Sequence, residues 1–267
     1  MAFRGLLYSG LPGTNSARRA RMHKNPFATE AAEYAHLRPT YPDDLFAFLA
    51  SVVPSRAVAW DCATGNGQAA THLAGYFDQV IATDESGEMI SQAPRDPKIL
   101  YRVAEAEDSG LEGNSVDLVT VASAIHWFDL KRFYAEVRRG VKPGGIVAVW
   151  TYYTPEFGGE IDAIIRRLAH DVLGPYWDER VHYVVDEFHD LPFPFEPLEA
   201  PPFQTDMRWD MRDLLAYFET WSSSLKYREA NHVSPTSLIE DDLARAWGDP
   251  QQKRDLRFPL YMRLGKV

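Results

Sequence analysis

The feature that most constrains the fold of this chain is an alternation of short apolar runs with helical patterns. Five apolar runs predict buried strands, at residues 58–60, 80–82, 99–104, 116–122 and 146–150. Between them, apolar residues recur at helical spacing. Strands that alternate with helices form a parallel sheet with helices on both faces. Right-handed crossovers then make that sheet doubly wound, so we expect an α/β fold.

The second half of the chain has a different character. Helical spacing predicts a long helix over 161–172, and a proline-rich, irregular segment follows it. Further elements are predicted as a strand at 203–209, a helix at 211–221 and a last edge strand at 258–264. We therefore expect one domain over residues 25–267, with a mostly parallel seven-stranded sheet. Its helical cap would comprise insertions at about 160–200 and 210–256.

Residues 1–24 are excluded from the fold argument. They carry several Arg and Lys residues but no acidic side chain, a composition that organellar transit peptides share. A disordered arm, or an upstream start with Met22 as the original first residue, explains the same composition. We interpret 1–24 as a disordered N-terminal arm.

Charge and composition narrow the class of function. The net charge of −10 disfavours nucleic-acid binding, which relies on Lys and Arg to neutralise phosphates. Cys62 is the single cysteine, and no run of about 18 apolar residues exists to span a membrane. The histidines lack zinc-ligand spacing, so no metal is predicted. These features predict a cytoplasmic protein whose partner is a small molecule, with no membrane or nucleic-acid partner.

The loop from Asp61 to Gln68 lies between the first predicted strand and a helix. Glycines let the backbone adopt positive φ and approach a ligand closely, as Gly65 and Gly67 would here. In a doubly wound sheet, ligands bind outside the carboxyl ends of the strands, where this loop is expected. The sequence Gly65-x-Gly67-x-x-Ala70 also matches the dinucleotide-binding fingerprint G-x-G-x-x-G/A. A tight turn without a ligand is a further alternative.

Two acids distinguish between these ligands. Asp61 stands at the end of the first strand, where a carboxylate would repel a pyrophosphate and attract an ammonium or sulfonium. Asp84 ends the second strand, 23 residues further on, where it can accept hydrogen bonds from both ribose hydroxyls. Together the two acids favour S-adenosylmethionine over NAD.

Ordered motifs along the chain resemble those of class I S-adenosylmethionine-dependent methyltransferases, type 11. They are Asp61 to Gln68, Asp84, Ala106-Glu107-Asp108, Ser115 to Val119 and Lys142-Pro143-Gly144-Gly145. Three segments resemble the trans-aconitate methyltransferase-like branch more narrowly: Tyr34-x-x-x-Arg38-Pro39-x-Tyr41-Pro42, Ala124 to Asp129 and Phe258-Pro259-Leu260. The resemblance covers about residues 25–265 and implies a Rossmann-like fold. One departure is Cys62-Ala63, where many members have Gly-Cys.

The resemblance implies roles for individual residues. Asp61, Gly65, Gly67 and Gln68 would face the methionine moiety of the donor, and Asp84, Glu85 and Ser86 the ribose. Ala106 and Glu107 would lie beside the adenine. Ser123 and Ala124 would form the floor near the methyl group. Tyr34 and Arg38 belong to a segment that would fold over the donor, with Arg38 pairing with its carboxylate.

The acceptor is expected at the carboxyl edge of the sheet. His126 is a candidate base, and the alternative is that it orders its loop or packs on the donor. Trp127, Tyr152, Trp221 and Tyr227 are candidate acceptor-binding residues, with core packing as the alternative for each. We predict methyl transfer from S-adenosylmethionine, with S-adenosylhomocysteine as product, to a small acceptor, such as a carboxylate oxygen. A non-catalytic binding module and N- or C-methylation are the alternatives, and the oligomeric state stays open.

Overall fold

The computed structural model describes residues 37–267. Its strands are β1 (Val58–Cys62), β2 (Gln79–Asp84), β3 (Ile99–Val103), β4 (Val116–Ala122), β5 (Val141–Thr151), β6 (Glu196–Pro197), β7 (Phe203–Trp209) and β8 (Arg254–Lys266). Its α-helices are α1 (Asp43–Val52), α2 (Gln68–Leu73), α3 (Gly87–Ser91), α4 (Leu130–Gly140), α5 (Glu160–Arg166), α6 (His182–Val185), α7 (Met211–Glu219), α8 (Ser222–Asn231) and α9 (Glu240–Trp247).

The sheet has the doubly wound order that the alternation predicts. Its strands are ordered β3-β2-β1-β4-β5-β8-β6, and β7 pairs with β8. The first five strands run parallel, and β8 runs antiparallel to β5. The chain order reverses direction between β1 and β4, which is where a doubly wound sheet opens its ligand crevice. The α/β, mostly parallel fold is therefore confirmed, with β6 as a two-residue addition.

The prediction that residues 258–264 form an edge strand is wrong. β8 is a long strand that pairs with β5 through its second half and with β7 through its first half. Pro259 lies opposite Gln204 of β7, within the first half. The pattern of apolar residues shows that this segment is a strand, but it cannot show that two other strands flank it.

Two apolar layers cover the sheet and explain why its central strands read as continuous apolar runs. One layer packs α1 and α2 against the sheet, with Phe46 and Leu73 fully buried. The other packs α4 against the opposite face, with Phe133 and Val137 fully buried. Strands buried on both faces have no polar side to alternate with.

The Lys142-Pro143-Gly144-Gly145 segment belongs to β5, which begins at Val141 directly after α4. Asp117 on β4 is only 1% exposed and joins β1 and β5 through its side chain. Its carboxylate accepts hydrogen bonds from the Val58 backbone N–H at 2.9 Å and from Lys142 Nζ at 2.8 Å. Gly145 has no room for a side chain, since a Cβ there would lie 2.9 Å from the Asp117 carbonyl oxygen.

The helices of the second half form a third apolar cluster, which includes Leu168, Leu214 and Trp247. The long helix predicted at 161–172 begins as α5 and continues as a π-helix over Arg167–Val172. The division into a domain with cap insertions stays a proposal, and the proposed arm at 1–24 lies outside the described residues. Within residues 37–267, no helix is long and apolar enough to cross a lipid bilayer.

Candidate active site

The glycine loop connects β1 to α2 in a compact, left-handed path. Ala63, Gly65 and Gly67 have φ values of 54°, 57° and 84°. The Thr64 N–H donates to the Thr83 carbonyl at 2.9 Å, which ties the loop to β2. Ala63 holds a conformation that costs a residue with a Cβ roughly 1–2 kcal/mol. Ala63 is therefore strained at a position where glycine would be relaxed.

Asp61 lies beneath this loop and is 1% exposed. Its two carboxylate oxygens accept hydrogen bonds from the Thr64 hydroxyl at 2.5 Å and from the Thr120 hydroxyl at 2.7 Å. Burial raises the pKa of Asp61 to about 6, although these hydrogen bonds oppose the rise. The side chain is therefore a buried anion at neutral pH, adjoining the expected position of the ligand.

Asp84 ends β2 and holds the loop from the other side. Its carboxylate accepts the Gly65 N–H and the Ser86 N–H, each at 2.8 Å. Hydrogen bonds to a charged group contribute about 1.5–3 kcal/mol each. Because a carboxylate oxygen has two lone pairs, both oxygens can also accept from a ligand. The geometry fixes the carboxylate at the end of the strand, as a diol-binding acid requires.

Tyr101 on β3 is a residue that sequence reasoning missed. A Cβ added to Gly67 would lie 2.5 Å from the Tyr101 hydroxyl oxygen, so the ring fills the space that a side chain would need. This hydroxyl is buried. Burial raises the pKa of Tyr101, and the Asp61 charge acts in the same direction. No motif indicates this contact, because Tyr101 on β3 and Gly67 before α2 become neighbours only in the folded chain.

The other predicted donor-binding residues surround the same crevice. The Ser86 hydroxyl caps α3 by accepting the Met89 N–H at 3.2 Å, and Glu85 beside it is exposed. The Glu107 carboxylate accepts the Asp129 N–H at 2.7 Å, which connects the loop after β3 to the start of α4. Gln68 and Ala106 are half-buried. Their contacts with a donor stay predictions, and Tyr34 lies outside the described residues.

Arg38 lies among phenols near the carboxyl ends of β4 and β5. Burial opposes its charge, while Tyr152, Tyr217 and Tyr41 raise the pKa of the guanidinium, which hydrogen-bonds to Tyr152. The residue is nevertheless accessible to solvent. A side chain on the wall of an open recess would pack against phenols and still reach solvent. We call this the Arg38 recess, and a cation there attracts an anionic ligand.

Ser123 and Ala124, the predicted floor residues, lie directly after β4. Ser123 has a φ of 54°, and its backbone N–H donates to the Trp150 carbonyl of β5 at 2.8 Å. Its hydroxyl lies 3.3 Å from the Tyr41 hydroxyl. The turn therefore connects the ends of β4 and β5 to the segment that carries Arg38.

His126 follows in a short 3-10 turn and is 9% exposed. Its Nδ1 is buried with no hydrogen-bond partner in the described part of the chain. Burial, followed by the nearby charge of Arg180, lowers the pKa of His126 to about 4. Trp127 beside it is 44% exposed, and the Arg180 guanidinium lies 4.6 Å from its ring centroid.

The predicted acceptor residues fall into two groups. The Tyr152 ring lies 5.3 Å from Phe258 and belongs to the Arg38 recess. Trp221 is 7% exposed and packs among aromatic residues of the third apolar cluster, whereas the Tyr227 ring lies 5.0 Å from Tyr176. Their roles in binding stay predictions.

Cys62 offers no nucleophile in this arrangement. It is fully buried, and burial raises the pKa of its thiol well above the usual value. Within residues 37–267, no cluster of three His, Cys, Asp or Glu side chains is placed to hold a metal ion.

Comparison with known proteins connects this geometry to a reaction. A family described as a methyltransferase domain matches residues 60–149, from β1 through most of β5. A Dictyostelium discoideum protein named as a methyltransferase is 32% identical over 248 residues, which span 90% of this chain and 94% of the relative. A solved structure from Anaeromyxobacter dehalogenans, described as a type II methyltransferase, is 43% identical with a TM-score of 0.80. It covers 86% of this chain and 97% of that chain.

The chain belongs to the class I methyltransferases. A Saccharomyces cerevisiae protein named as an S-adenosylmethionine-dependent methyltransferase is 35% identical over 137 residues, or 48% of this chain and 47% of the relative. This methyltransferase thus uses S-adenosylmethionine as its methyl donor, and the NAD alternative is wrong. The residues present fit that donor, since a buried anion at Asp61 and a fixed carboxylate at Asp84 suit a cationic nucleoside.

Proposed function

We propose that this methyltransferase transfers the methyl group to a carboxylate oxygen of a small organic acid. The observation that carries the proposal is the burial of His126 where β4 ends. With its pKa lowered to about 4, the imidazole is neutral at pH 7 and a weak base. Alcohols and phenols need deprotonation to become good nucleophiles, whereas a carboxylate is ionised already.

The proposed donor site uses this chain's own side chains for orientation. Asp84 would bind the ribose hydroxyls, Asp61 would attract the cationic methionine end, and Arg38 would pair with its carboxylate. When bound, the donor supplies an electrophilic methyl group on a sulfonium. The protein then has to hold the acceptor oxygen in line with that group and keep water away.

The branch resemblance supports the same acceptor class. The Tyr41-Pro42 segment, which belongs to one of the branch motifs, places the Tyr41 hydroxyl beside Ser123 at the floor of the recess. His126 and Trp127 belong to a second branch motif and adjoin the cap. We therefore propose membership of the trans-aconitate methyltransferase-like branch, with organic acids as the acceptors to test first.

The decisive experiment is a transfer assay with methyl-labelled S-adenosylmethionine and a panel of organic acids, phenols and amines. We expect a labelled product from an acid that releases methanol in mild alkali, because methyl esters hydrolyse there. A phenyl ether, an N-methyl or a C-methyl product would keep its label and would contradict the proposal.

The variant His126→Asn distinguishes a role of His126 as general base from a role in ordering its loop. A general base contributes roughly 10²–10⁴-fold to the rate. If the acceptor is ionised already, we expect kcat of His126→Asn to stay within about tenfold of the parent, below that range. Arg102→Gln, at an exposed position on β3, is the matched surface control. A loss greater than a hundredfold in His126→Asn alone would establish base catalysis instead.

A further inference from the structure

Three aromatic side chains from separate parts of the chain meet in the third apolar cluster. The Tyr153 ring lies 6.4 Å from Trp221 at an interplanar angle of 18°, and Trp177 lies 5.4 Å from Trp221. Tyr153 follows β5 by two residues, Trp177 belongs to the segment after the π-helix, and Trp221 precedes α8. We call Tyr153, Trp177 and Trp221 the aromatic subsite.

Two hydroxyls in this part of the structure are buried without a hydrogen-bond partner among residues 37–267. They are the Tyr153 hydroxyl and the Ser223 hydroxyl, and Ser223 is 0% exposed. Their neighbours are satisfied: Trp177 Nε1 donates to the Ala169 carbonyl at 3.0 Å, and the Ser224 hydroxyl donates to the Phe218 carbonyl at 2.7 Å. Buried polar groups rarely lack a partner, so these two hydroxyls are available to hydrogen-bond with a ligand.

The helical geometry of α8 places Ser223 on the side of the subsite. Residues four apart lie on the same face of a helix, so Ser223 and Tyr227 share a face. The Tyr227 ring lies 5.0 Å from Tyr176, which precedes Trp177. Ser223 therefore lies on the face of α8 that packs against the segment carrying Trp177.

The subsite adjoins the proposed reaction centre. The Tyr217 ring lies 5.8 Å from Trp221, and Tyr217 is close enough to Tyr152 and Arg38 to interact electrostatically with both. Tyr217 therefore connects the recess at Arg38 to the aromatic subsite. An acceptor that reaches the donor from the cap side would contact both.

We propose that the aromatic subsite and Ser223 bind the body of the acceptor, and that this acceptor is a planar aromatic carboxylic acid bearing a second oxygen acceptor. The inference rests on the proposed methylation of an organic acid and names its class. The indole rings offer apolar faces to stack on a flat ring. The two hydroxyls are donors, and a carbonyl or ether oxygen on the ring would accept from them. An aliphatic polycarboxylate supplies no ring for this subsite.

The test measures binding by isothermal titration calorimetry with S-adenosylhomocysteine present, so that no turnover is needed. The probes are 4-acetylbenzoate, which has a ring and a ketone oxygen, benzoate, which lacks the ketone, and trans-aconitate, which lacks the ring. We expect 4-acetylbenzoate to bind the parent protein about tenfold more tightly than benzoate, the equivalent of one well-formed hydrogen bond. We expect trans-aconitate to bind more weakly than either aromatic probe.

Tyr153→Phe and Ser223→Ala remove only the hydroxyls. We expect each to reduce the preference for 4-acetylbenzoate over benzoate while the melting temperature stays level or rises, because an unpartnered buried hydroxyl is lost. Ser224→Ala is the matched control, since it breaks a formed hydrogen bond on the same helix turn. It should lower the melting temperature and keep the preference.

An unchanged preference in both hydroxyl variants would overturn the inference, and so would tighter binding of trans-aconitate than of both aromatic probes. The proposed function fails separately. If the aromatic probes bind as expected but no acid yields an alkali-labile methyl ester, the subsite stands and carboxylate methylation does not.

Discussion

Replacement of Asp61 by asparagine is expected to stabilise this methyltransferase at neutral pH while it weakens donor binding. The carboxylate is 1% exposed, and burial raises its pKa to about 6. Its nearest polar contacts are the hydroxyls of Thr64 and Thr120. Asparagine keeps the shape of the protonated acid and removes the cost of burying a charge.

The magnitude follows from the pKa shift. The rise from 3.8 to about 6 corresponds to roughly 3 kcal/mol of unfolding free energy at 1.36 kcal/mol per unit. Because the pKa is higher in the folded state, ionisation of Asp61 destabilises the fold. The penalty is small below pH 4, grows between pH 4 and 6, and is complete above about pH 6.5. Asp61→Asn should therefore exceed the parent in stability by about 3 kcal/mol at pH 8 and by less than about 1 kcal/mol at pH 4.

Urea unfolding of both proteins at pH 4 and pH 8 measures this difference. Asp78→Asn is the matched control, since Asp78 is an exposed aspartate in the turn before β2. A stability difference that stays constant between the two pH values would refute the reasoning, because it would mean that Asp61 carries no burial penalty. Calorimetric titration with S-adenosylmethionine at pH 8 gives the second readout. Affinity equal to that of the parent would remove Asp61 from the donor site.

Three further predictions rest on single contacts. Asp84→Asn should lower donor affinity at least tenfold, because an amide cannot accept both backbone N–H groups, and calorimetric titration measures it. Ala63→Gly should leave stability unchanged or raise it by up to about 1 kcal/mol in urea unfolding, since relief of left-handed strain offsets added chain entropy. Arg180→Gln should raise the pKa of His126 above about 4, as NMR titration of the imidazole would show, because a nearby positive charge is removed.

The parts of the fold that the sequence predicts are those set by local chemistry. The run at Val116–Ala122 forms a strand that is buried on both faces, and its mostly apolar sequence is enough to predict this. Asp84 lies at the carboxyl end of the sheet for the same reason, since it is the last residue of a buried strand. Ser86 caps α3 as its residue type predicts.

The parts that the sequence does not predict depend on which elements become neighbours. Tyr101 and Gly67 are 34 positions apart along the chain, and nothing in either segment indicates that the ring covers the glycine. The aromatic subsite likewise joins residues from three parts of the chain. Each of these residues alone is compatible with ordinary core packing, and only the unpartnered hydroxyls of Tyr153 and Ser223 distinguish the subsite from a core.

The glycine loop shows why its sequence motif alone is compatible with both S-adenosylmethionine and NAD. In a dinucleotide site, the second glycine lets the backbone approach a pyrophosphate. Here Gly67 has a φ of 84°, and a Cβ there would meet the Tyr101 hydroxyl oxygen at 2.5 Å. Glycine is therefore required at this position by a left-handed turn and by the close packing of the Tyr101 phenol. The buried anion at Asp61, directly before the loop, is what makes this crevice suit a cationic ligand and oppose a phosphate.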